Sequence, residues 1–394
     1  MLGNRIAGRP GNTRLATAVS DLVWPHTMRP PPRLKGSSVH LFSPLTVGDL
    51  TLSNRVVMAP LTRTRAGAEG IPGDIVAEHY AQRAGLGMII TEGVYPSEES
   101  RAYPGQPGIV TDAQVEGWRA VADAVHAEGG VIVMQLMHSG RVSHTDITGT
   151  ARIVAPSAIA IEGEVRTPSG KKPYPAPHAL TADELTQVRG EFVTAAVRAI
   201  GAGFDGVELH GANGYLLHEF LSPASNHRTD AYGGSPDKRT AFVVEVASAV
   251  AEVVGAGRVG IRLSPGHNIQ GIVETDDDIR ATYPPLIDGL APLGLAYLSV
   301  LHHDPAGPLI QSLRSRFGGV FIANSGFGQL TTKDEATDFV ERGAADAVAV
   351  GRLAIANPDL VERWQGGHPE NEPNPATFYG AGPEGYTDYP RLSA

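Results

Sequence analysis

The sequence predicts an α/β fold, a (β/α)8 TIM barrel, from two observations. From residue 41 onward, eight short and almost continuously apolar runs alternate with longer stretches whose apolar residues recur at three- and four-residue spacing. Strands buried on both faces of a parallel sheet read as apolar runs, and the longer spacing is that of an amphipathic helix. Eight such units in succession are typical of the barrel. The runs are 56–60, 88–93, 131–136, 206–211, 259–265, 295–301, 320–326 and 347–352.

The stretches between the runs carry helix boundaries. Residues 181–203, TADELTQVRGEFVTAAVRAIGAG, open on a threonine followed by acids and close on glycine. Threonine is a good N-cap and glycine a common C-terminal stop, so a helix is predicted there. The alternative is a doubly wound open sheet, which usually shows a G-x-G-x-x-G turn after its first strand. Here the first strand leads into APLTRTRA instead.

Three segments flank or interrupt these units. Residues 41–55, LFSPLTVGDLTLSNR, read as a hairpin with Gly48–Asp49 at its turn, which we expect to close the bottom of the barrel. Residues 141–180, rich in proline and glycine, are an insertion after the third strand. Residues 1–40, rich in arginine, proline and glycine, predict a disordered basic extension, although an acid-poor leader also suits a transit peptide. Residues 41–394 then form a single domain.

The composition excludes several classes of protein. The chain has no cysteine, which rules out disulfides, thiolate-bound iron–sulfur clusters and a thiol nucleophile, and which fits a cytoplasmic location. Its formal net charge of −10 argues against nucleic acid as a partner. No apolar run approaches the 18 or so residues of a membrane span. The sequence leaves open whether the protein is a monomer or a homo-oligomer.

Polar residues follow the apolar runs strand after strand. In such a barrel the chemistry lies at the C-terminal strand ends. A single polar residue there is more often structural, and Arg262 alone could pair with Glu208 or Glu92. Polar residues at seven of the strand ends are harder to explain as structural, because each unpaired buried polar group costs roughly 1–3 kcal/mol. A polar ligand is therefore expected in the mouth. The residues at these ends include Thr62, Gln135, His210, Asn213, Tyr215, Arg262, Asn324 and Arg352.

The turns after the last two strands predict a phosphate site. Small residues stand there in NSGF (324–327) and VGRL (350–353). The end of a barrel around strands seven and eight is the usual place for a phosphate group. Backbone N–H groups and the Arg352 guanidinium would hold the dianion.

Several motifs together resemble the Old Yellow Enzyme family of FMN-dependent ene-reductases. The resemblance runs from about residue 41 to residue 392 and is most specific between residues 210 and 235. The motifs are NRVVMAPLTR (54–63), QLMHSGRVSH (135–144), VELHGANGYLLHEFLSP (207–223) and SNHRTDAYGGS (225–235).

The resemblance implies noncovalent FMN in the barrel mouth, with NADPH or NADH as hydride donor. It places Pro60, Leu61, Thr62 and Gly93 at flavin contacts of the first two strands and Gln135 at the pyrimidine side of the ring. Arg262 lies where negative charge accumulates on reduction. The phosphate would be held by Asn324, Ser325, Gly326, Gly351 and Arg352.

The resemblance also implies the substrate, an alkene activated by a carbonyl or nitro group. His210 and Asn213 would bind its oxygen, and Tyr215 would donate the proton. Tyr103 and Tyr379 fall where the family places aromatic residues around the substrate. Two departures leave substrate preference open: Met137 replaces a tryptophan of several members, and GHNIQGIVETDDD (266–278) replaces a phenylalanine-rich loop.

Two other classes of function compete with this interpretation. A metal-dependent TIM-barrel hydrolase would use histidines of the mouth as ligands. The candidates are His138, His210, His218, His302 and His303. A non-catalytic barrel that kept a binding pocket is the third class.

Overall fold

Eight parallel strands close into a barrel in the computed structural model, which describes residues 39–326 and 328–392. In chain order the strands of this part of the chain are β1 (Leu45–Val47), β2 (Leu50–Leu52), β3 (Val56–Met58), β4 (Met88–Ile90), β5 (Ile132–Leu136), β6 (Val154–Ala155), β7 (Glu164–Thr167), β8 (Gly170–Pro173), β9 (His178–Ala179), β10 (Gly206–Gly211), β11 (Val259–Leu263), β12 (Tyr297–Leu301), β13 (Val320–Asn324) and β14 (Ala347–Val350).

The barrel consists of β3, β4, β5 and β10 to β14, in sequence order around the ring. It closes where β14 pairs in parallel with β3, Val350 opposite Met58. The predicted (β/α)8 barrel is confirmed, and every predicted run contains a barrel strand. Several runs extend past their strands because the polar residues at their C-terminal ends turn into the rim loops.

Helices surround the barrel between its strands. They are α1 (Asp74–Ala81), α2 (Asp112–Ala127), α3 (Thr145–Thr148), α4 (Ala182–Gly201), α5 (Leu216–Leu221), α6 (Pro236–Val254), α7 (Asp276–Leu290), α8 (Pro308–Phe317), α9 (Lys333–Glu341), α10 (Arg352–Ala356) and α11 (Leu360–Gly366). Thr181 caps α4 as predicted, since its hydroxyl accepts the N–H of Glu184 while the Glu184 carboxylate accepts the N–H of Thr181. None of the described helices is long and apolar enough to cross a membrane.

Alternate residues of each barrel strand face two different cores. Val56 and Met58 pack outward among the helices, whereas Val57 between them faces the barrel interior with Ile90 and Val133. Both faces of the strands are therefore buried. This is the physical reason that the strands read as continuous apolar runs rather than as alternating ones.

The hairpin β1–β2 closes the bottom of the barrel, as predicted. Val47, Leu50 and Leu52 belong to the same buried cluster as the inward-facing side chains of the barrel strands. The N–H of Asp49 donates to the carbonyl of Gly257, which precedes β11, at 2.9 Å. The hairpin thus contacts the N-terminal ends of the strands, away from the rim where the polar residues collect.

Two further segments shape the opposite rim. The insertion after β5 contains α3, a parallel pair β6–β9 and an antiparallel hairpin β7–β8. The segment after α11 is fastened by Arg63 and Arg65, which donate to backbone carbonyls that include Phe378 and Gly385. The predicted disordered extension, residues 1–40, lies outside the described residues apart from Val39 and His40.

Gly48 offers a test of how closely the bottom hairpin fits. Its φ is +56°, and an added Cβ would overlap the carbonyl oxygen of Gly257 and lie 2.9 Å from the Ala296 Cβ. We expect Gly48→Ala to lower the free energy of unfolding by backbone strain of roughly 1–3 kcal/mol, plus a similar amount for overpacking. Urea denaturation measures the change.

Gly149→Ala is the matched control for that variant. Gly149 has a φ of +70°, but an added Cβ would have no heavy atom within 4 Å. It carries the backbone strain without the overlap. Equal destabilisation by the two substitutions would mean that the hairpin can move away from the barrel at little cost.

Candidate active site

A cavity of about 770 Å³ opens at the C-terminal ends of the barrel strands. This volume lies in the range of roughly 300–1,000 Å³ typical of cofactor and substrate sites. Of the residues predicted for the site, all but Ser325 line it. They are Pro60, Leu61, Thr62, Gly93, Tyr103, Gln135, His210, Asn213, Tyr215, Arg262, Asn324, Gly326, Gly351, Arg352 and Tyr379.

His210 is held in one neutral tautomer. The Gln135 amide nitrogen lies 2.8 Å from Glu208 Oε1 and 3.3 Å from His210 Nδ1. An amide nitrogen can only donate, so Nδ1 is the acceptor and the ring proton is on Nε2. Burial, reinforced by the positive charge of Arg262, holds the pKa of His210 well below its usual value. His210 therefore presents a neutral N–H donor to the cavity.

Tyr215 shares its hydroxyl hydrogen bond with a second tyrosine. Its Oη lies 2.6 Å from the Tyr103 Oη. Burial raises the pKa of Tyr215, although hydrogen bonds from Tyr103 and Gln270 oppose the rise. Burial also raises the pKa of Tyr103 well above its usual value. Both phenols are thus protonated near neutral pH, and Tyr215 has a hydroxyl neighbour able to stabilise the phenolate left after proton donation.

Arg262 carries a buried positive charge with part of its hydrogen-bonding capacity unused. Its two terminal nitrogens donate to Ser299 Oγ at 3.2 Å and to Asn324 Oδ1 at 3.0 Å. Its Nε is buried without a hydrogen-bond partner among the described residues. The nearby Glu208 carboxylate offsets the cost of burying the guanidinium. Such a donor suits an electron-rich group of a ligand. Among the described residues Arg262 and Glu92 do not form an ion pair.

The other predicted partner of Arg262, Glu92, has a different role. Its Oε2 accepts the backbone N–H groups of Arg63 and Thr64, each at 2.9 Å. Glu92 therefore shapes the loop after β3, which carries Pro60, Leu61 and Thr62 into the cavity wall.

The turns after β13 and β14 are the segments for which the sequence predicts a phosphate site. Gly326 has a φ of +104°, a conformation that side chains disfavour. Arg352 lines the cavity and donates to the Gln329 carbonyl at 2.7 Å. Asn324 Nδ2 donates to the Ala349 carbonyl and so ties the two strand ends together. The Ser325 hydroxyl donates its proton to Glu335 and also contacts Thr331, so it has no proton to donate to a phosphate, and its backbone N–H is the donor that it can offer.

The structure adds cavity residues that the strand-end reasoning did not name. Arg166 comes from the β7–β8 hairpin of the insertion, and Ile269 and Gln270 come from the loop after β11. The sequence had marked that loop as a departure from the family pattern, without assigning it contacts. Met137 packs against Gly93, where an added Cβ would meet its side chain. Nothing in the sequence pattern pointed to Arg166.

The histidines do not assemble a metal centre. Nδ1 of His138 accepts the N–H of Gly140, and burial lowers the pKa of His138 to about 3. His218 lies behind the cavity wall, bonded to Tyr283 and Glu274. Among residues 39–326 and 328–392, no group of three or more His, Cys, Asp or Glu side chains could hold a metal ion. The hydrolase alternative has no support.

The donor set fits FMN. The Arg262 Nε, which has no hydrogen-bond partner in the described part of the chain, suits an electron-rich ring, and the Arg352 guanidinium beside glycine-containing turns suits a phosphate. The fold and the lining of the cavity are those that a TIM-barrel flavoprotein would need.

Comparison with known proteins gives the family. A model of the NADH:flavin oxidoreductase / NADH oxidase family matches residues 40–371. The chain is 43% identical over 359 residues to a probable flavin mononucleotide-dependent alkene reductase of Leishmania infantum, covering 89% of this chain and 97% of that protein. It is 38% identical over 392 residues to 12-oxophytodienoate reductase 7 of Oryza sativa subsp. japonica, covering 92% and 98%.

Solved structures that are similar to this chain indicate the same family. An old yellow enzyme homologue from Zymomonas mobilis matches with a TM-score of 0.85 and 39% identity, covering 90% of this chain and 100% of that chain. Morphinone reductase in complex with tetrahydroNAD matches with a TM-score of 0.84 and 44% identity, covering 90% and 98%. The chain belongs to the NADH:flavin oxidoreductase / NADH oxidase family, the Old Yellow Enzyme family that its motifs resemble.

Replacing Arg352 tests the predicted phosphate site. Arg352→Ala should weaken FMN retention, because a charge-assisted hydrogen bond to the phosphate is lost. The measurement is the flavin-to-protein absorbance ratio after gel filtration and dilution. Arg316→Ala is the control, since it removes the same charge from a surface pair with Asp288. Full flavin retention by Arg352→Ala would exclude Arg352 as a phosphate ligand.

Proposed function

We propose that the protein is an FMN-dependent NAD(P)H oxidoreductase that reduces the C=C bond of α,β-unsaturated carbonyl or nitro compounds. The observation that carries the proposal is the grouping of a neutral His210 N–H donor, Asn213 and a protonated Tyr215 in one cavity. The relatives, a probable alkene reductase, 12-oxophytodienoate reductases and morphinone reductase, support the same class of reaction.

FMN, when bound, supplies the redox chemistry by accepting a hydride from a nicotinamide and passing one to the alkene. Arg262, Gln135 and Thr62 would hold the ring system. Arg352, with the backbone of Ser325, Gly326 and Gly351, would hold the phosphate. The nicotinamide is NADPH or NADH; the complex of morphinone reductase with tetrahydroNAD supports nicotinamide as the donor without choosing between the two.

His210 and Asn213 polarise the substrate. Their N–H groups donate to the carbonyl or nitro oxygen, which gains negative charge as the hydride adds to the β-carbon. Because the charge develops during the reaction, these hydrogen bonds strengthen most in the transition state. The neutral state of His210 suits this role, since its donor stays in place without changing protonation.

Tyr215 delivers the proton that the α-carbon requires. Its phenol is protonated near neutral pH, and the Tyr103 hydroxyl at 2.6 Å can donate to the phenolate that proton transfer leaves. Tyr103 therefore stabilises the phenolate form of Tyr215 by a hydrogen bond. Tyr379 is 67% exposed at the rim and is placed to contact the substrate.

The natural alkene depends on the parts of the rim that differ from the family pattern. These are Met137, the loop after β11 and the hairpin that carries Arg166. A cytoplasmic location rests on the cysteine-free composition, and a monomer and a homo-oligomer both remain compatible with the fold.

Replacing Tyr215 separates the proton-transfer role from the rest of the reaction. Tyr215→Phe should slow enone reduction by roughly 10²–10⁴-fold, the range expected for a lost general acid. Reduction of the bound FMN by nicotinamide needs no such proton and should stay nearly unchanged. Stopped-flow measurement of the two half-reactions gives both rates.

Nitroalkenes serve as the internal control. Their nitronate product is stable enough to leave before protonation, so the effect of Tyr215→Phe should be smaller with them. Equal slowing of flavin reduction and enone reduction would show that the tyrosine is structural.

A further inference from the structure

The loop between β11 and α7, residues 264–275, packs directly on the turn that carries Asn213. An added Cβ on Gly214 would lie 2.8 Å from the Gln270 Cβ and 2.9 Å from the Ile269 carbonyl oxygen. Asn213 and Gln270 both have left-handed backbones, with φ of +59° and +57°. Such conformations persist in non-glycine residues when surrounding contacts impose them. The two segments therefore fix each other's backbone.

Three polar groups of Asn213 are engaged by this loop. Its backbone N–H donates to Ser264 Oγ at 2.9 Å. Its backbone carbonyl accepts from Gln270 Nε2 at 2.8 Å. Its side-chain Oδ1 lies 3.2 Å from His267 Nδ1.

The contact with His267 is made by the oxygen end of the Asn213 amide. Oδ1 can only accept, so His267 carries its proton on Nδ1 and donates it. The Nδ2 group of Asn213 is then the end that can donate into the cavity, which Asn213 lines. With the proton on Nε2 instead, Nδ1 would attract the amide nitrogen and turn Oδ1 toward the substrate. Two oxygen acceptors would then repel each other.

We propose that His267 is a positioning residue that selects the substrate-binding orientation of the Asn213 amide, with Gln270 holding the same residue's backbone. This inference rests on the role of Asn213 in the proposed function. It assigns a role to the segment GHNIQG, at which the sequence departs from the family pattern.

The buried carboxylate of Glu274 links the loop to the turn that carries Asn213. Glu274 Oε2 accepts the N–H of Gly266 at 2.9 Å. Glu274 Oε1 lies 3.4 Å from His218 Nε2, and His218 Nδ1 accepts the N–H of Gly214 at 3.1 Å. The chain of contacts runs from the loop, through two side chains, to the residue after Asn213. These contacts hold Gly266, the residue before His267, close to the turn that carries Asn213.

The charge state of His267 agrees with this geometry. Burial, together with the positive charge of Arg262, lowers the pKa of His267. A neutral imidazole has a single N–H, and the contact with Asn213 Oδ1 places it on Nδ1.

The test is a double-mutant cycle on the FMN-loaded enzyme, with His267→Leu, Asn213→Ala and the double variant. The two measurements are phenol affinity, from the flavin absorbance change, and kcat/KM for an enone. His267→Leu should weaken both roughly tenfold, the scale of one lost hydrogen bond with its unsatisfied partner. In the Asn213→Ala background the same substitution should change them less than about twofold, because coupled residues are not additive.

His267→Asn is the matched variant. Its side-chain amide can place an N–H near the position of Nδ1, so phenol affinity and kcat/KM should return to within about threefold of wild type. FMN content, measured in each variant, should stay constant.

The outcomes separate the inference from the proposed function. If Asn213→Ala binds phenol and reduces the enone as wild type does, the role of Asn213 fails and the inference fails with it. If Asn213→Ala is impaired but His267→Leu is harmless, or equally harmful in both backgrounds, only the inference is overturned. Failure of His267→Asn to recover activity would likewise overturn it.

Discussion

The site depends on the register of three adjacent parallel strands. Glu208 of β10 lies opposite Gln135 of β5, and His210 lies opposite Arg262 of β11. This register alone brings the amide, the imidazole, the carboxylate and the guanidinium together on the inner face of the barrel. A slip of one residue in β10 would turn His210 outward, because side chains alternate across a strand. The tautomer of His210 is therefore a consequence of strand pairing.

Much of this arrangement was predictable because it follows from the spacing of apolar residues and from the order of the strands. The eight barrel strands, the bottom hairpin, the insertion and nearly all of the expected rim residues follow from apolar runs and their C-terminal ends. The functional roles of His210, Asn213 and Tyr215 required the family resemblance as well. They stay predictions until mutagenesis tests them, since position in a cavity does not by itself establish a role.

The features that the sequence did not predict depend on contacts between residues far apart in the chain. Arg166 reaches the cavity from a hairpin far along the insertion, and no local pattern reports where an irregular segment folds back. Arg63 and Arg65 follow the first barrel strand, and their contacts could not be predicted from their own segment. Their guanidinium groups donate to carbonyls more than 300 positions away and lie over the Tyr386 ring, 4.9 and 4.3 Å from its centroid. The orientation of Ser325 depended on Thr331 and Glu335, which its own strand does not reveal.

The close approach of Gly214 to Gln270 limits how the enzyme can be redesigned. Rim loops of a barrel are usually treated as exchangeable parts on a rigid scaffold. Here the loop after β11 and the turn after β10 interlock, with no room for a Cβ between them. Grafting another protein's loop would leave Asn213 without its hydrogen-bond partners, so the two segments form one transplantable module. Libraries that seek new substrates should vary them together.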